Sequence, residues 1–418
     1  MKSYKTTLIR KPFSIHVFLF SILSLLVLTT TSLYADTTRN LTIYLSADRS
    51  GATSSGDSIE RGIRTALHEI DYEIGQYKIS VKSLDHRAST PRAKKHLKTF
   101  LKDPTALVLY AGLHSPPLLT TRDFINENKI LVMVPWAAAT PITRYPSAQN
   151  WIFRLSVDDS KAGYVITRQA VDKNNIKKVA LLLEDTGWGK ANNRTMTMAL
   201  KDRQLSPTAV EWFNWGISDN NARILLRDII QTGAESIFMV SNASEGKTFV
   251  QAMASLPKDQ QVPIFSHWGI TGGDFAEKMP PGLLKSVQLS FIQTSFSFLA
   301  PLSDFQQSVF DRVSQLYPES IQKPEDIKAP TGFIHAYDLT RLLIAAINKN
   351  ALQEKIELNR NNIKNALENL HEPVQGLIKT YTRPFTVFSV NNPDAHEALG
   401  AEDFRMGYYG TNNEIILD

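Results

Sequence analysis

Residues 41–71 read LTIYLSADRSGATSSGDSIERGIRTALHEID. The run LTIYLS over 41–46 is short and rich in apolar residues, which predicts a β-strand. A loop of small and polar residues follows. Ile59, Ile63, Ala66, Leu67 and Ile70 then recur at spacings of three and four, the pattern of one buried helix face. Gly56 and Asp57 stand where the cap of that helix is expected. A strand, a small-residue loop and a helix make the first step of a doubly wound sheet, in which the loops at the strand ends hold a ligand.

Working outward, the same alternation repeats. Strands are predicted over 79–84, 106–110 and 130–134, and helices over 91–101 and 120–128. The runs at 106–110 and 130–134 are almost wholly apolar, as suits strands covered on both faces of a parallel sheet. The pattern restarts after Arg154, with helices over 161–174, 190–203, 222–232 and 246–256 and strands over 179–183, 236–240 and 263–265. A strand over 287–292 then leads to helices over 302–316, 331–348 and 360–370. The end of the chain loses helical periodicity, and strands are predicted over 380–390 and 414–417. Two successive βαβα arrays without a single linker predict the α/β class: two three-layer α/β/α lobes, joined by several crossings around a hinged cleft.

The start of the chain reads differently. Lys2, Lys5, Arg10 and Lys11 precede an apolar stretch over 15–28, and Leu33-Tyr34-Ala35 closes it on a small residue. That order predicts a secretory signal cut after Ala35. An apolar core of about 14 residues, interrupted by His16 and serines, falls short of the roughly 20 that a membrane span needs. There is no cysteine, so neither a lipid anchored at a cleavage-site cysteine nor a disulfide is expected. The expected location is the periplasm, in soluble form. The whole chain has 46 Lys and Arg against 41 Asp and Glu; the signal holds four of the bases, which leaves 42 against 41. Nothing in that balance asks for nucleic acid.

Four phrases in order resemble the type I periplasmic ligand-binding proteins of ABC importers, of the leucine/isoleucine/valine-binding branch. They are SADRSGATSSGD…RGIRTALHEID, ENKILVMVPWAAATPIT at 127–143, KKVALLLEDTGWGKANN at 177–193 and AYDLTRLLIAAI at 336–347. The resemblance covers nearly all of the chain beyond the signal. It implies three hinge crossings, near 151–155, 290–293 and 377–381. Lobe one would hold 36–153 plus 292–376, and lobe two 154–291 plus 377–418. It further implies a small-molecule ligand, an inner-membrane permease and ATPase as partners, a monomer, no cofactor and no catalysis.

Ligands of open parallel sheets bind beyond the carboxyl ends of the strands. The loops there hold Asp48, Arg49 and Ser50; Gly112, His114 and Ser115; and Trp136, Ala137 and Ala138. In the second array they hold Asp185, Thr186 and Trp188; Asn242, Ala243 and Ser244; and His267, Trp268 and Gly269. The planar fork of Arg49 suits a carboxylate or phosphate, with a solvent-facing role as the alternative. Asn242 can touch ligand or cap the helix that follows. Trp136, Trp188 and Trp268 are expected in the cleft, with a place in the core as the alternative. By the resemblance, the family's carboxylate-holding hydroxyl and amides fall on Ser115 and on Ala137–Ala138, its second-lobe aromatic on Trp188, and its ammonium-reading acid near Trp268. Ala138 stands where the family usually has Thr. An indole in place of the acid argues against an ordinary branched-chain amino acid, because a buried ammonium needs a counter-charge.

His114 and His267 lack metal-site spacing, and no metal is expected. No G-x-S-x-G, G-x-x-x-x-G-K-[ST], H-E-x-x-H or, after the first strand, G-x-G-x-x-G motif is present, which leaves a secreted enzyme the weakest reading. A sensor of the same fold, passing its closed state to a signalling partner, is the alternative to import. The exported protein is expected to begin at Asp36, as read by intact mass of a periplasmic extract. A membrane-bound species retaining residues 1–35 would overturn the export reading.

Overall fold

The computed structural model describes residues 1–3, 7, 39–145 and 149–418. The expected signal lies outside these apart from 1–3 and 7. Residues Asn40–Asp418 form one unit that contains two large sheets and one two-stranded sheet.

The first array comprises β1 (Arg39–Ala47), α1 (Thr53–His68), β2 (Glu73–Ile74), β3 (Tyr77–Asp85), α2 (Thr90–Lys102), β4 (Ala106–Ala111), α3 (Ser115–Glu127), β5 (Val132–Val134) and β6 (Ile152–Arg154). Its six strands run in the order β2-β3-β1-β4-β5-β6. Pairs β1–β4, β4–β5 and β5–β6 are parallel, and β2–β3 is an antiparallel hairpin at the edge. Every residue of β4 is buried, as its apolar run predicts for a strand covered on both faces.

Several helices start a few residues earlier than the sequence reading, and two of these starts bear on the site. Helix α1 begins at Thr53, so Gly56 and Asp57 lie inside its first turns rather than before them. Helix α3 begins at Ser115 because Pro116 and Pro117 occupy the first turn, where a missing N–H costs nothing.

The second array comprises α4 (Asp159–Thr167), β7 (Val179–Glu184), α5 (Gly187–Lys201), β8 (Val210–Phe213), α6 (Asp219–Gln231), β9 (Ser236–Val240), α7 (Ala243–Ala254), β10 (Ile264–Ser266), the short α8 (Leu283–Ser286) and β11 (Leu289–Thr294). Next come α9 (Asp304–Leu316), α10 (Pro330–Asn348), α11 (Ile356–Glu368), β12 (Val374–Gln375), β13 (Thr380–Tyr381), β14 (Phe404–Tyr409) and β15 (Ile415–Leu417). The seven-stranded sheet runs β15-β14-β11-β10-β9-β7-β8. It is parallel from β8 to β11, and β14 and β15 extend it antiparallel.

Helix α10 returns to the first array and packs along α1, and α11 packs against α10 and β4. A Cβ at Gly62 of α1 would collide with the carbonyl of Phe333, so glycine is what lets these two helices meet backbone to backbone. The fold is thus two α/β lobes with helices on both sides of each sheet.

The strand expected over 380–390 is not formed. Thr380 and Tyr381 pair with Val374 and Gln375, and Ser389 makes one isolated bridge to Asn392. Pro384 has no N–H for a ladder, and Arg383 before it has a left-handed φ of 50°. The strands β8 and β14 were not legible in the sequence. Each is short and takes its conformation from a neighbour, β7 and β11 respectively.

Arg154, at the end of β6, is fully buried and ties the two arrays together. Its Nε and Nη2 donate to Glu397 at 2.8 and 2.7 Å, and its Nη2 lies 3.3 Å from Asp158. Its Nη1 donates to the carbonyls of Ala137 (3.2 Å) and Ala139 (3.0 Å). The C-terminal segment is also held by backbone bonds, Arg154 N–H to His396 O and Ala398 N–H to Arg154 O, both 2.9 Å. Replacing Arg154 with Met leaves Glu397 buried without a cation, which is expected to cost about 3–5 kcal/mol in urea unfolding. The double variant Arg154→Met with Glu397→Met should lose less than the two single losses added together. A wild-type midpoint for Arg154→Met would remove the network from the account of stability.

Candidate functional site

The carboxyl ends of both sheets point their loops at one another. Six of the residues singled out in the sequence line one gap between them: Ser115, Trp136, Ala138, Trp188, Asn242 and Trp268. Ser115 opens α3, and its Oγ accepts the N–H of Ala139 at 3.2 Å, which joins two loops of the first sheet. Trp136 follows β5 and lies over α10, where a Cβ at Gly332 would sit 2.9 Å from its ring. Its ring centroid is 6.2 Å from that of Trp268, which follows β10. Trp268 also packs against His335 (5.4 Å) and Phe404 (5.9 Å). Trp188, in the first turn of α5, donates its Nε1 to Asp159 at 3.3 Å and meets the His267 ring edge-on at 5.1 Å.

The two readings of the tryptophans therefore hold together: all three stand in the cleft, and all three are buried there. The gap they leave is about 10 Å³, room for one water at most.

The other assignments resolve differently. Ala137 stands behind the gap with its carbonyl on Arg154. Arg49 lines no cavity between the lobes; its guanidinium is engaged by Asp57 at 2.5 Å, by Glu60 and by Ser83 Oγ at 3.2 Å. The capping alternative for Asn242 also fails. It occupies the N-cap position of α7, but its side chain makes no cap and instead donates to Glu184 at 2.8 Å.

Outside the indoles the cleft widens to a cavity of about 220 Å³. Asp48, His114, Trp215, Asn242, Ser244 and Glu245 stand in its wall. A recess of about 310 Å³ at Arg168, Lys173 and Arg405 lies by α4 and β14, away from the strand-end loops.

His114 Nε2 is 3.1 Å from Asp48, and its ring is 5.8 Å from Trp215 on the opposite lobe. Ser54 on α1 donates to Asp274 at 2.6 Å, a hydrogen bond between the lobes. Burial opposes the charge on Asp48, but the bond from His114 and the N–H groups of Gly51 and Ser50 hold its carboxyl below the ordinary range. Burial pushes Glu184 the other way, upward, against the pull of the nearby Trp215 indole N–H, of Thr186 and of His114. Burial also pushes His335 down to about 3, against the bond to the Pro135 carbonyl, so its imidazole beside Trp268 is neutral. Asp159 lies 3.0 Å from His267 Nε2 but out of line for a hydrogen bond, and its Oδ2 has no partner.

Trp215, Glu184, Glu245 and His335 were not found in the sequence. Trp215 follows β8, a strand that the sequence did not reveal. Glu245 is one residue beyond the Asn242–Ser244 loop, and Glu184 is the last residue of β7, one short of the loop at Asp185.

Two α/β lobes with facing strand-end loops and a cavity between them are the architecture of a protein that encloses a small solute. Residues 41–388 match the family model described as periplasmic binding protein, and the chain belongs to that family. A search of curated proteins found no match. Among solved structures, a type 1 periplasmic binding protein from Bordetella pertussis aligns with TM-score 0.75 at 17% identity, covering 91% of this chain and 99% of that one. The branched-chain amino acid transporter substrate-binding protein LivJ from Streptococcus pneumoniae, in complex with isoleucine, aligns at 0.71 and 18%, covering 91% and 100%. An ABC-transporter solute-binding protein from R. palustris in complex with 4-hydroxybenzoate aligns at 0.71 and 15%, covering 91% and 95%. At these identities the likeness is one of fold.

Trp268 sits where both lobes and α10 meet. Trp268→Ala is expected to lower the stability of the unliganded protein by about 3–5 kcal/mol in urea unfolding, as for other buried large-to-small changes. An unchanged unfolding midpoint would show that the indole is not part of the packed floor.

Proposed function

We propose that the protein is the substrate-binding component of an ABC importer, exported to the periplasm by a cleaved signal over 1–35. It captures a small polar or amino-acid-like ligand by closing two lobes, 36–153 plus 292–376 on 154–291 plus 377–418. The observation that carries the reading is the cavity of about 220 Å³ lined by strand-end loops of both sheets. Family membership supports it, as do the similar structures that hold isoleucine and 4-hydroxybenzoate. The phrases that resemble the leucine/isoleucine/valine-binding branch support the reading, which takes a permease and an ATPase of the inner membrane as partners and a monomer as the working form.

The lobes touch through His114 and Trp215 and through Ser54 and Asp274, so this is the closed arrangement. An open form must separate these pairs, and ligand would shift the population back toward closure. Small-angle scattering on protein freed of ligand should give a larger radius of gyration than on the ligand-saturated protein, with occupancy fixed by native mass spectrometry. Identical curves at confirmed occupancy would argue against capture by closure.

A further inference from the structure

The segment around His396 lies against the first sheet. Arg154 of β6 donates its N–H to the carbonyl of His396, and Ala398 donates to the carbonyl of Arg154. A few residues later the chain enters β14, which pairs with β11 of the second sheet. What holds His396 therefore holds one of the passages between the two sheets.

The His396 side chain is fully buried, and both of its ring nitrogens meet acceptors. Nδ1 lies 2.9 Å from the carbonyl of Ile152 on β6, and Nε2 lies 3.0 Å from Oε1 of Glu368, the last residue of α11. A carbonyl cannot donate, and an ionised carboxylate cannot either. Burial raises the Glu368 carboxyl, but the bonds from His396 and Lys364 and the charge on Lys364 hold it below the ordinary range. A neutral imidazole has one N–H and would turn a lone pair on one of the two oxygens. Only the imidazolium donates to both.

The rest of the surroundings suits a cation. The Phe153 ring of β6 stacks on the imidazole, with centroids 3.9 Å apart and planes 16° apart. Phe388 and Phe385 approach it at 5.8 and 6.4 Å. Aromatic faces attract positive charge. Burial opposes the charge on His396, whereas the bond and charge of Glu368 and the Ile152 carbonyl sustain it. Lys364 of α11 repels it, but spends its own charge on the same carboxylate at 2.7 Å. The other charges on these elements are paired elsewhere: Arg154 with Glu397 at 2.7 Å, and Asp394 with Arg144 at 2.6 Å and Lys161 at 3.6 Å.

We propose that His396 is a buried imidazolium in a box of phenylalanines, and that its proton latches residues 394–400 to the first sheet as a pH-sensitive switch on the passage into β14. While the ring is charged, both bonds are made. As pH rises through the pKa of the ring, one N–H is lost and a lone pair faces either Ile152 or Glu368. The segment then loosens from β6, and the passage between the sheets gains freedom. The latch is thus complete at low pH and is lost as pH rises.

The test uses the full exported protein with isotope-labelled histidine. The His396 ring is identified by the signals that vanish in His396→Gln. At about pH 7, where an unperturbed imidazole is mostly neutral, nitrogen NMR should show both ring nitrogens protonated. One bare nitrogen at that pH overturns the proposal, since the proton then sits on Glu368 or is absent. Hydrogen exchange read by mass spectrometry, corrected for the intrinsic rate, follows the latch itself. Protection of residues 394–400 should fall about tenfold or more relative to β4 as the ring titrates, the size expected for losing a hydrogen bond to a charged group. Protection that does not change through that titration overturns the proposal. In His396→Gln, whose side chain does not titrate, protection of the segment should be lower than in the wild type at about pH 6 and flat with pH; protection at the wild-type level overturns the latch. The first two measurements are made on the wild-type chain, so they decide the question even where the variant fails to fold.

Discussion

The buried guanidinium of Arg154 is the constraint on which the cleft depends. One planar fork holds the carbonyls of Ala137 and Ala139, the carboxylate of Glu397 and, at longer range, Asp158. These belong to a strand-end loop of the first sheet, to the returning C-terminal segment and to the start of the second array. Thr140 Oγ1 adds a bond to Asp158 at 2.6 Å, and Asp158 caps α4 through the N–H of Ser160. A charge with no water around it tolerates little freedom, so the passage between lobes at this point is fixed in geometry. The loop that carries Trp136 is held by the same fork.

That fixed frame explains why the floor of the cleft can be packed with rings. Trp136 and Trp268 meet across the lobes, and the neutral imidazole of His335 completes the cluster of rings. Three indoles contribute apolar area that stabilises the closed arrangement, and they leave only a water-sized gap. Polar chemistry is displaced outward, where Asp48, His114, Glu245 and Trp215 meet. Large aromatics fill the floor, and the buried acids Asp48 and Glu245 stand above it, so the polar groups of the cleft lie near its mouth rather than at its base.

Much of the architecture was legible because it rests on periodicity. Ile59, Ile63, Ala66 and Leu67 mark the face that α1 buries, and the unbroken apolar runs of β4 and β5 mark strands covered on both sides. Six of eight proposed ligand residues come together in one gap, since loops after parallel strands converge at one edge of a sheet. Arg49 shows the limit. Its position in such a loop was readable, but Asp57 and Glu60, one and two turns along α1, claim its guanidinium. The non-strand at 383–390 shows another, for its aromatic residues Phe385 and Phe388 are buried through contacts with Phe153 and His396 rather than through a ladder.

By itself the sequence determined the class of fold, most of the strands and helices and most of the loops that could meet a ligand. These follow from spacing along the chain, because hydrophobic period and turn chemistry are local. Only the tertiary structure decided which side chains fill the cleft and which charges are left without partners. Trp215 and Glu245 reach the same cavity as Asp48 from residues far away in the chain. Whether a carboxylate is paired, solvated or stranded depends on what the fold places within a few ångströms of it, and that separation in space is not written in separation along the chain.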